Sequence, residues 1–360
     1  VLFRSQVLGD PFAPRSFSMI AIHKLGIPVE FMEETLDEAE RVARLDPGKD
    51  REDLRHLPIV AIDPVDARDH DDAVWAMPDD DPKNEGGFRA IVAIADVSFY
   101  VRPGSALDRD ARRRGNSVYF PDRVVPMLPE ILSADVCSLK SGEDRAALVC
   151  HLTIDAKGAL KDFRFTRAAV RIAANIAYED AQTLVDAIAP AIPPEVSKDT
   201  KETSPRRKPE SLAGLGAPLS KDPSFRWDDE RIQQALGNLW ACWRTLDAAR
   251  ARREPLDLDL PERRVALDEK GRIMSVAPRE RLDAHRLIEE FMILANVAAA
   301  ETCERMRTPL IYRVHDEPSP AKLEGLREFM ASLDVNLPKA GALRTEQFNR
   351  ILDRVKNDDN

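Results

Sequence analysis

No run of apolar residues in this sequence approaches the ~20 that a membrane-spanning helix needs, so no membrane partner is expected. The opening Val-Leu-Phe-Arg-Ser lacks the basic region, apolar core and small-residue cleavage site of a secretory signal. Cysteine is scarce, with four in 360 residues. Cys137, Cys150, Cys242 and Cys303 form no Cys-x-x-Cys pair. That spacing speaks against disulfides and zinc, and suits reduced, mostly buried thiols in a cytoplasmic protein. A surplus of positive charge is also missing. Lys and Arg number 53 against 63 Asp and Glu, for a net charge of −10 and a pI near 5.3. A general nucleic-acid coat is usually basic, so that class is disfavoured. Local phosphate contact stays open, because basic clusters occur at Arg112-Arg113-Arg114, at Arg206-Arg207-Lys208 and between Arg250 and Arg253.

What the sequence does have is a concentration of carboxylates. Residues 58–77 begin with an apolar run, Ile59 to Ile62, that reads as a buried strand. Asp63 stands at its end, and Pro64, with no N–H to donate, stops the ladder. A polar loop with Asp66, Asp69, Asp71 and Asp72 follows, then Ala73-Val74-Trp75-Ala76 reads as a second strand. Arg68 is the only arginine or lysine in this unit. Like charges this close cost free energy unless a cation neutralises them. Hard oxygen donors suit Mg²⁺ or Mn²⁺, and two such ions roughly 3.5–4 Å apart clamp an in-line displacement at phosphorus. The competing reading is a solvated acidic turn. The apolar runs on both sides anchor the loop to a core and favour the metal reading. The unit lacks the sixth-position glycine and distal glutamate of a helix-loop-helix calcium site.

The rest of the chain reads as a mixture of strands and helices. Residues 17–25 form a strand or short helix, and Glu33 to Arg44 a charged amphipathic helix. Ala90 to Ala95 reads as a strand ending at Asp96, whose carboxylate is assigned to a cap or loop hydrogen bond rather than to catalysis. Residues 105–116 are helical. The arginines Arg112 to Arg114 read as a solvated face, with phosphate contact as the alternative. Cys150 to Arg171 alternates around Ala156-Lys-Gly-Ala, a hairpin signal. Tyr178 opens a helix. Residues 190–225, rich in Pro, Ser, Lys, Glu and Gly, read as a disordered surface insertion. From Asp228 to Arg253 the helical period returns, with Ile232, Leu236, Leu239, Trp240, Trp243 and Leu246 on one core-facing side. Leu256 to Glu262 alternates like a strand, Val265 to Ala277 like a hairpin about Lys270-Gly271. A helix is expected from Leu282 to Met306, a strand from Pro309 to His315, and a helix from Pro320 to Leu333.

The run Ile62-Asp63-Pro-Val-Asp-Ala-Arg-Asp69-His-Asp71-Asp72-Ala-Val resembles the signature of the ribonuclease II/ribonuclease R (RNB) family of exoribonucleases. Asp66 and Arg68 match the ribonuclease R flavour of that motif. The similarity continues through Ile91-Val-Ala-Ile-Ala-Asp-Val-Ser, Tyr119-Phe-Pro, Pro126-Met-Leu-Pro, residues 132–139, Ile288-Glu-Glu-Phe-Met-Ile-Leu-Ala-Asn and Tyr312-Arg-Val-His-Asp-Glu-Pro. The resemblance implies an α+β fold with a mixed, largely antiparallel sheet flanked by helices. Residues 1–50 would be a lead-in from a preceding small barrel, and 51–360 a catalytic domain incomplete at its C-terminus. It implies a monomeric, Mg²⁺-dependent (Mn²⁺ possible), processive 3′→5′ exoribonuclease that turns single-stranded RNA into nucleoside 5′-monophosphates. Asp63, Asp69, Asp71 and Asp72 are carried over as the catalytic metal ligands.

Tyr119 and Tyr178 are carried over as RNA-binding side chains. Core packing is the competing reading for Tyr119, and an ordinary helix-start aromatic is the competing reading for Tyr178. Glu289 and Glu290 are the next candidates, one of them receiving a ribose 2′-OH. Adjacent helix positions point about 100° apart, so only one of the two is expected to face the site. Relatives carry phenylalanine near Leu258, a departure that weakens the base clamp or shifts the alignment. Arg313 and His315 belong to a family motif and read as structural hydrogen-bonding residues. Relatives also continue into a segment whose arginine faces the scissile phosphate. Without it the chain is expected to bind metal yet cleave poorly. The alternatives are a non-catalytic RNA-binding or regulatory protein on the same scaffold, and a metal-dependent nuclease acting on DNA.

Overall fold

The computed structural model describes residues 16–188, 230–256, 263–268, 270–278, 280–314, 316–333, 335, 337 and 345–355. Helices α1 (Ser16–Leu25) and α2 (Glu33–Val42) precede the sheet. The first strands are β1 (Glu52–Asp53), β2 (Val60–Asp63), β3 (Asp72–Pro78) and β4 (Phe88–Ala95). A short helix α3 (Val97–Tyr100) and α4 (Ala106–Arg114) lead to a ribbon, β5 (Val118–Tyr119) and β6 (Val124–Val125). Then come the long strands β7 (Asp144–Ile154) and β8 (Leu160–Arg171), followed by β9 (Ala174–Ala177) and α5 (Tyr178–Ile188). The later elements are α6 (Glu230–Ala251), the hairpin β10 (Arg263–Leu267) and β11 (Ile273–Pro278), α7 (Asp283–Arg305), α8 (Pro320–Ser332) and α9 (Thr345–Val355).

Seven strands form one sheet in the order β1-β8-β7-β4-β3-β2-β9. All neighbours are antiparallel except β1 with β8 and β2 with β9. The expected mixed, largely antiparallel sheet with flanking helices is therefore present. Both faces are covered, which explains why β4, Phe-Arg-Ala-Ile-Val-Ala-Ile-Ala, is apolar almost throughout. Side chains alternate between faces along a strand. Val60, Ile62, Val74 and Val92 enter the core under α5, α6 and α7, where Trp240 and Phe291 are also buried. Ile59, Ala61, Ala73, Ile91 and Val149 enter the opposite layer. A smaller core joins α2 and α4 through Ala39, Val42, Tyr100 and Leu107.

The β7–β8 turn shows how the sheet is seated on α6. Gly158 has φ +78°, and a Cβ there would lie 2.5 Å from the Thr245 carbonyl oxygen. Both the left-handed backbone and the close approach call for glycine. Gly158→Ala is expected to destabilise the chain by about 1–3 kcal/mol, read as a lower urea midpoint with unchanged slope.

Residues 17–25, left open between strand and helix, fall in α1, so the helical alternative holds. Two readings are corrected. Pro309 to His315 was expected as a strand. Its described part, 309–314, forms none, and Ile311 and Val314 are 96% and 79% exposed. β-prone residues need a partner ladder for their backbone groups, and no described strand lies alongside. The solvated-face reading of the arginine run holds at Arg112 and Arg113, whose side chains are 76% and 47% exposed, and fails at Arg114. Arg112 pairs with Asp108 and Arg113 with Asp110. The Arg114 side chain is buried, lies 3.6 Å from the Phe31 ring centroid, and donates to the Pro28 carbonyl at 2.7 Å and the Glu30 carbonyl at 2.6 Å. The insertion expected at 190–225, Leu258 and His315 lie outside the described residues.

Candidate active site

Strand geometry brings the aspartates to one end of the sheet. β2 ends on Asp63 and β3 begins on Asp72. Asp72 pairs with Ile94 near the end of β4, and Asp63 pairs with Ala177 at the end of β9. That parallel pairing delivers the next residue, Tyr178, to the same end. The loop between Asp63 and Asp72 is tied down along its length. The Ala67 N–H donates to the Pro64 carbonyl at 2.9 Å, and the His70 N–H to Ser138 Oγ at 3.0 Å. The Leu139 N–H reaches the His70 carbonyl at 2.8 Å, and the Ala95 N–H reaches the Asp71 carbonyl at 2.9 Å.

The outer carboxylates have donors. His70 Nδ1 lies 2.6 Å from Asp63 Oδ2, and the Tyr119 hydroxyl donates to Asp69 Oδ2 at 3.0 Å. Asp66 meets Arg264 of β10 at 3.4 Å. The inner pair differs. Partial desolvation raises the Asp71 pKa, and the charges of Asp69 and Asp63 raise it further, although its side chain reaches solvent. Asp72 is pushed up to about 6 by burial first, then by Asp63 and Asp71. Burial and Asp69 push the Tyr119 phenol up to about 12, so it stays protonated and donating at neutral pH.

This donor set fits a hard divalent cation. It is all oxygen, crowded with like charge, and partly withdrawn from water, so a cation is what would hold Asp71 and Asp72 ionised together. Among the described residues, however, no three His, Cys, Asp or Glu side chains already converge on a common metal position. Mutual repulsion of carboxylates with no cation between them favours such an open arrangement.

The other expected residues are placed less uniformly. The Tyr119 ring is 65% exposed and free to take a partner on its face. The Tyr178 ring stacks on His285, with centroids 3.9 Å apart and planes 13° apart. His285 in turn accepts from the Leu282 N–H at 3.1 Å at the start of α7. Glu289 and Glu290 differ in surroundings, with side chains 37% and 4% exposed, yet the long Arg250 side chain reaches both. Its Nη1 lies 3.2 Å from Glu289 and also bonds Glu290, which is buried. Arg281 bonds Glu289 as well. No hydrogen bond or ion pair joins the two acids to the aspartate loop among the described residues. Glu290 borders a cavity of about 380 Å³ that Arg286, Asp247 and Arg350 also line. Arg313 sits in the exposed 309–314 stretch and makes no side-chain hydrogen bond among the described residues.

Four contributors escaped the sequence reading: His70, Ser138, Arg250, and Asp96 as a buried ion-pair centre. Ser138 stood inside a motif run and His70 inside the aspartate signature, but neither spacing revealed a contact.

The chain belongs to the RNB domain family, whose pattern it matches over residues 51–360. Within that family it is similar to ribonuclease R of Vibrio parahaemolyticus, 36% identical over 342 residues, covering 92% of this chain and 36% of that protein. It is 37% identical to ribonuclease R of Escherichia coli over 305 residues, 85% of this chain and 33% of the relative. Ribonuclease R of Thermotoga maritima is 34% identical over 357 residues, 98% of this chain and 45% of the relative. The chain thus spans about a third to under a half of these curated relatives. Mycoplasma genitalium RNase R in complex with ribose methylated single-stranded RNA shares the fold, with TM-score 0.80 and 24% identity over 99% of this chain and 50% of that one. So does yeast Ssd1, a pseudonuclease, with TM-score 0.58 and 16% identity over 92% of this chain and 34% of that one.

Proposed function

We propose that this chain carries the metal half of a 3′→5′ exoribonuclease that hydrolyses single-stranded RNA processively to nucleoside 5′-monophosphates with Mg²⁺, or Mn²⁺ in its place. The observation that carries the reading is the meeting of Asp63, Asp69, Asp71 and Asp72 at one sheet end, with the inner two partly desolvated. The likeness to ribonuclease R supports the substrate class and direction. Asp63, Asp69, Asp71 and Asp72 would hold the cations. The chemistry a bound Mg²⁺ would supply there is an activated water and an offset to charge on the phosphoryl group. With such a nucleophile, no histidine or lysine need act as general base. Tyr119 offers an exposed ring to the terminal base, and its hydroxyl keeps Asp69 oriented. Among the described residues no helix is long and apolar enough to cross a membrane, and we place the enzyme in the cytoplasm as a monomer.

A gel time course with 5′-labelled single-stranded RNA tests the reading, in Mg²⁺ or EDTA, on this chain and on a chain of the relatives' full length. Mg²⁺-dependent shortening from the 3′ end in the longer protein is the expected result. A folded longer protein that binds RNA and never shortens it would overturn the assignment. The second reading, a non-catalytic RNA-binding protein, draws support from the pseudonuclease that shares the fold. The intact acid cluster opposes it, since a retired site has no reason to keep repelling charges. Tyr119→Ala is expected to weaken RNA binding by about 1–3 kcal/mol, the worth of one stacked base, in a fluorescence anisotropy titration. Tyr119→Phe, which keeps the ring, should bind as the parent does.

A further inference from the structure

We infer that His70 is a positioning residue for the metal site, its imidazole holding the Asp63 carboxylate in a ligating orientation. The inference rests on the metal reading above and adds to it a residue outside the four acids. His70 lies between Asp69 and Asp71 in the sequence, and its ring turns back seven residues to Asp63. Nδ1 and Asp63 Oδ2 are 2.6 Å apart, a short charge-assisted distance. A carboxylate can only accept, so Nδ1 carries the proton and donates.

The ring is aimed by a rigid backbone. The His70 N–H is held by Ser138 Oγ and its carbonyl by the Leu139 N–H, and both Ser138 and Leu139 are fully buried. One residue on, the Asp71 carbonyl is held by the end of β4. The imidazole therefore cannot wander with the loop. Asp63, by contrast, ends the buried strand β2 and is followed by Pro64, and its pairing with Ala177 fixes its backbone but not its carboxylate. Asp63 lies near enough for its charge to act on both Asp71 and Asp72. Fixing Asp63 by one oxygen thus fixes where its other oxygen stands relative to the inner pair. Groups that hydrogen-bond to metal-ligating carboxylates commonly control affinity by about 10–100-fold.

A loop-stabilising ring and an aligning donor make different demands on the side chain. His70→Phe keeps a planar ring and removes the donor. His70→Asn removes the ring and keeps an N–H at the position of Nδ1. Mn²⁺ binding by isothermal titration calorimetry, with no RNA present, separates them, and thermal unfolding of each variant in EDTA checks the fold. We expect His70→Phe to bind Mn²⁺ about 10–100-fold more weakly than the parent, with His70→Asn recovering most of the loss. A folded His70→Phe that binds as tightly as the parent overturns the inference. So does a folded His70→Asn that binds Mn²⁺ about 10-fold or more weakly than the parent, and this arm stands even where His70→Phe fails to fold. Asp71→Asn is the control that keeps the two readings apart. If the parent binds no Mn²⁺, or Asp71→Asn binds it undiminished, the metal site itself falls. If Asp71→Asn loses binding while His70→Phe keeps it, only the role of His70 falls.

Discussion

In a chain of the relatives' full length, Asp71→Asn is expected to lower Mg²⁺-dependent RNA shortening by about 10³-fold or more while leaving RNA binding largely intact. The change removes one charge and keeps the side-chain size. At a site whose catalytic power is electrostatic, removal of one preorganised group costs on the order of 10²–10³, and loss of a charged ligand belongs at or above the upper end. Asp71 also has the least alternative employment of the four. Asp63 is bonded by His70 and Asp69 by Tyr119, and burial dominates at Asp72. Asp71 reaches solvent, and partial desolvation first, then the charges of Asp69 and Asp63, press on its carboxylate. The same crowding gives a second expected result. In EDTA, Asp71→Asn should unfold at a temperature no lower than the parent's, because one repelling charge has gone. A gel time course, an anisotropy titration and a melt together check it. Undiminished hydrolysis by the variant would sink the metal assignment, and a large loss of stability in EDTA would sink the crowding argument.

How much of this was legible in the sequence depends on the range of the interaction. Local periodicity placed the helices well. The face named from Ile232 to Leu246 is buried along α6, and Ser105 caps α4 where a helical start was expected. The hairpin of β7 and β8 was visible because its turn chemistry is local: Asp155 accepts from the Lys157 and Ala159 N–H groups. The aspartate signature located the site because the acids lie within ten residues of chain, Asp63 to Asp72. What could not be read were contacts spanning long stretches of sequence. Ser138 reaches His70 over 68 residues, and Arg250 reaches Glu289 over 39. The Arg112–Arg114 run misled for the same reason. A run of like charges is usually solvated, but here Phe31 and the Pro28 and Glu30 carbonyls, some 84 residues away, take Arg114 out of water. The β1–β8 and β2–β9 pairings are parallel and distant, and no local pattern distinguishes them from antiparallel ones.

Asp96→Asn is expected to destabilise the chain by about 3–5 kcal/mol, the cost of leaving a buried cation without its partner. Asp96 follows β4 directly, and its side chain and that of Arg51 are each 3% exposed. Arg51 donates to it at 2.8 Å, Arg167 at 2.5 Å and the Ser98 hydroxyl at 2.7 Å. Burial acts to raise its pKa, but these donors outweigh it and hold Asp96 below the ordinary carboxylate value. A depressed pKa contributes stability that is complete at neutral pH and fades as pH falls into the carboxylate range. The gap between parent and variant in urea unfolding should therefore be widest near pH 7, begin to narrow near about pH 4, where the unfolded chain's aspartate takes up its proton, and close only below that, as the folded Asp96 takes up its own. An exposed pair gives the contrast: Glu324→Gln, which breaks the Arg327 bridge on α8, should cost less than about 1 kcal/mol. The consequence for the site is direct. Asp96 anchors the end of β4 one residue beyond Ala95, whose N–H holds the Asp71 carbonyl. A loosened β4 end loosens the aspartate loop, so Asp96→Asn should weaken Mn²⁺ binding without touching a ligand. If the variant is as stable as the parent at pH 7, the buried pair contributes nothing net. If stability falls and Mn²⁺ affinity does not, the loop is held by Ser138 and Leu139 alone.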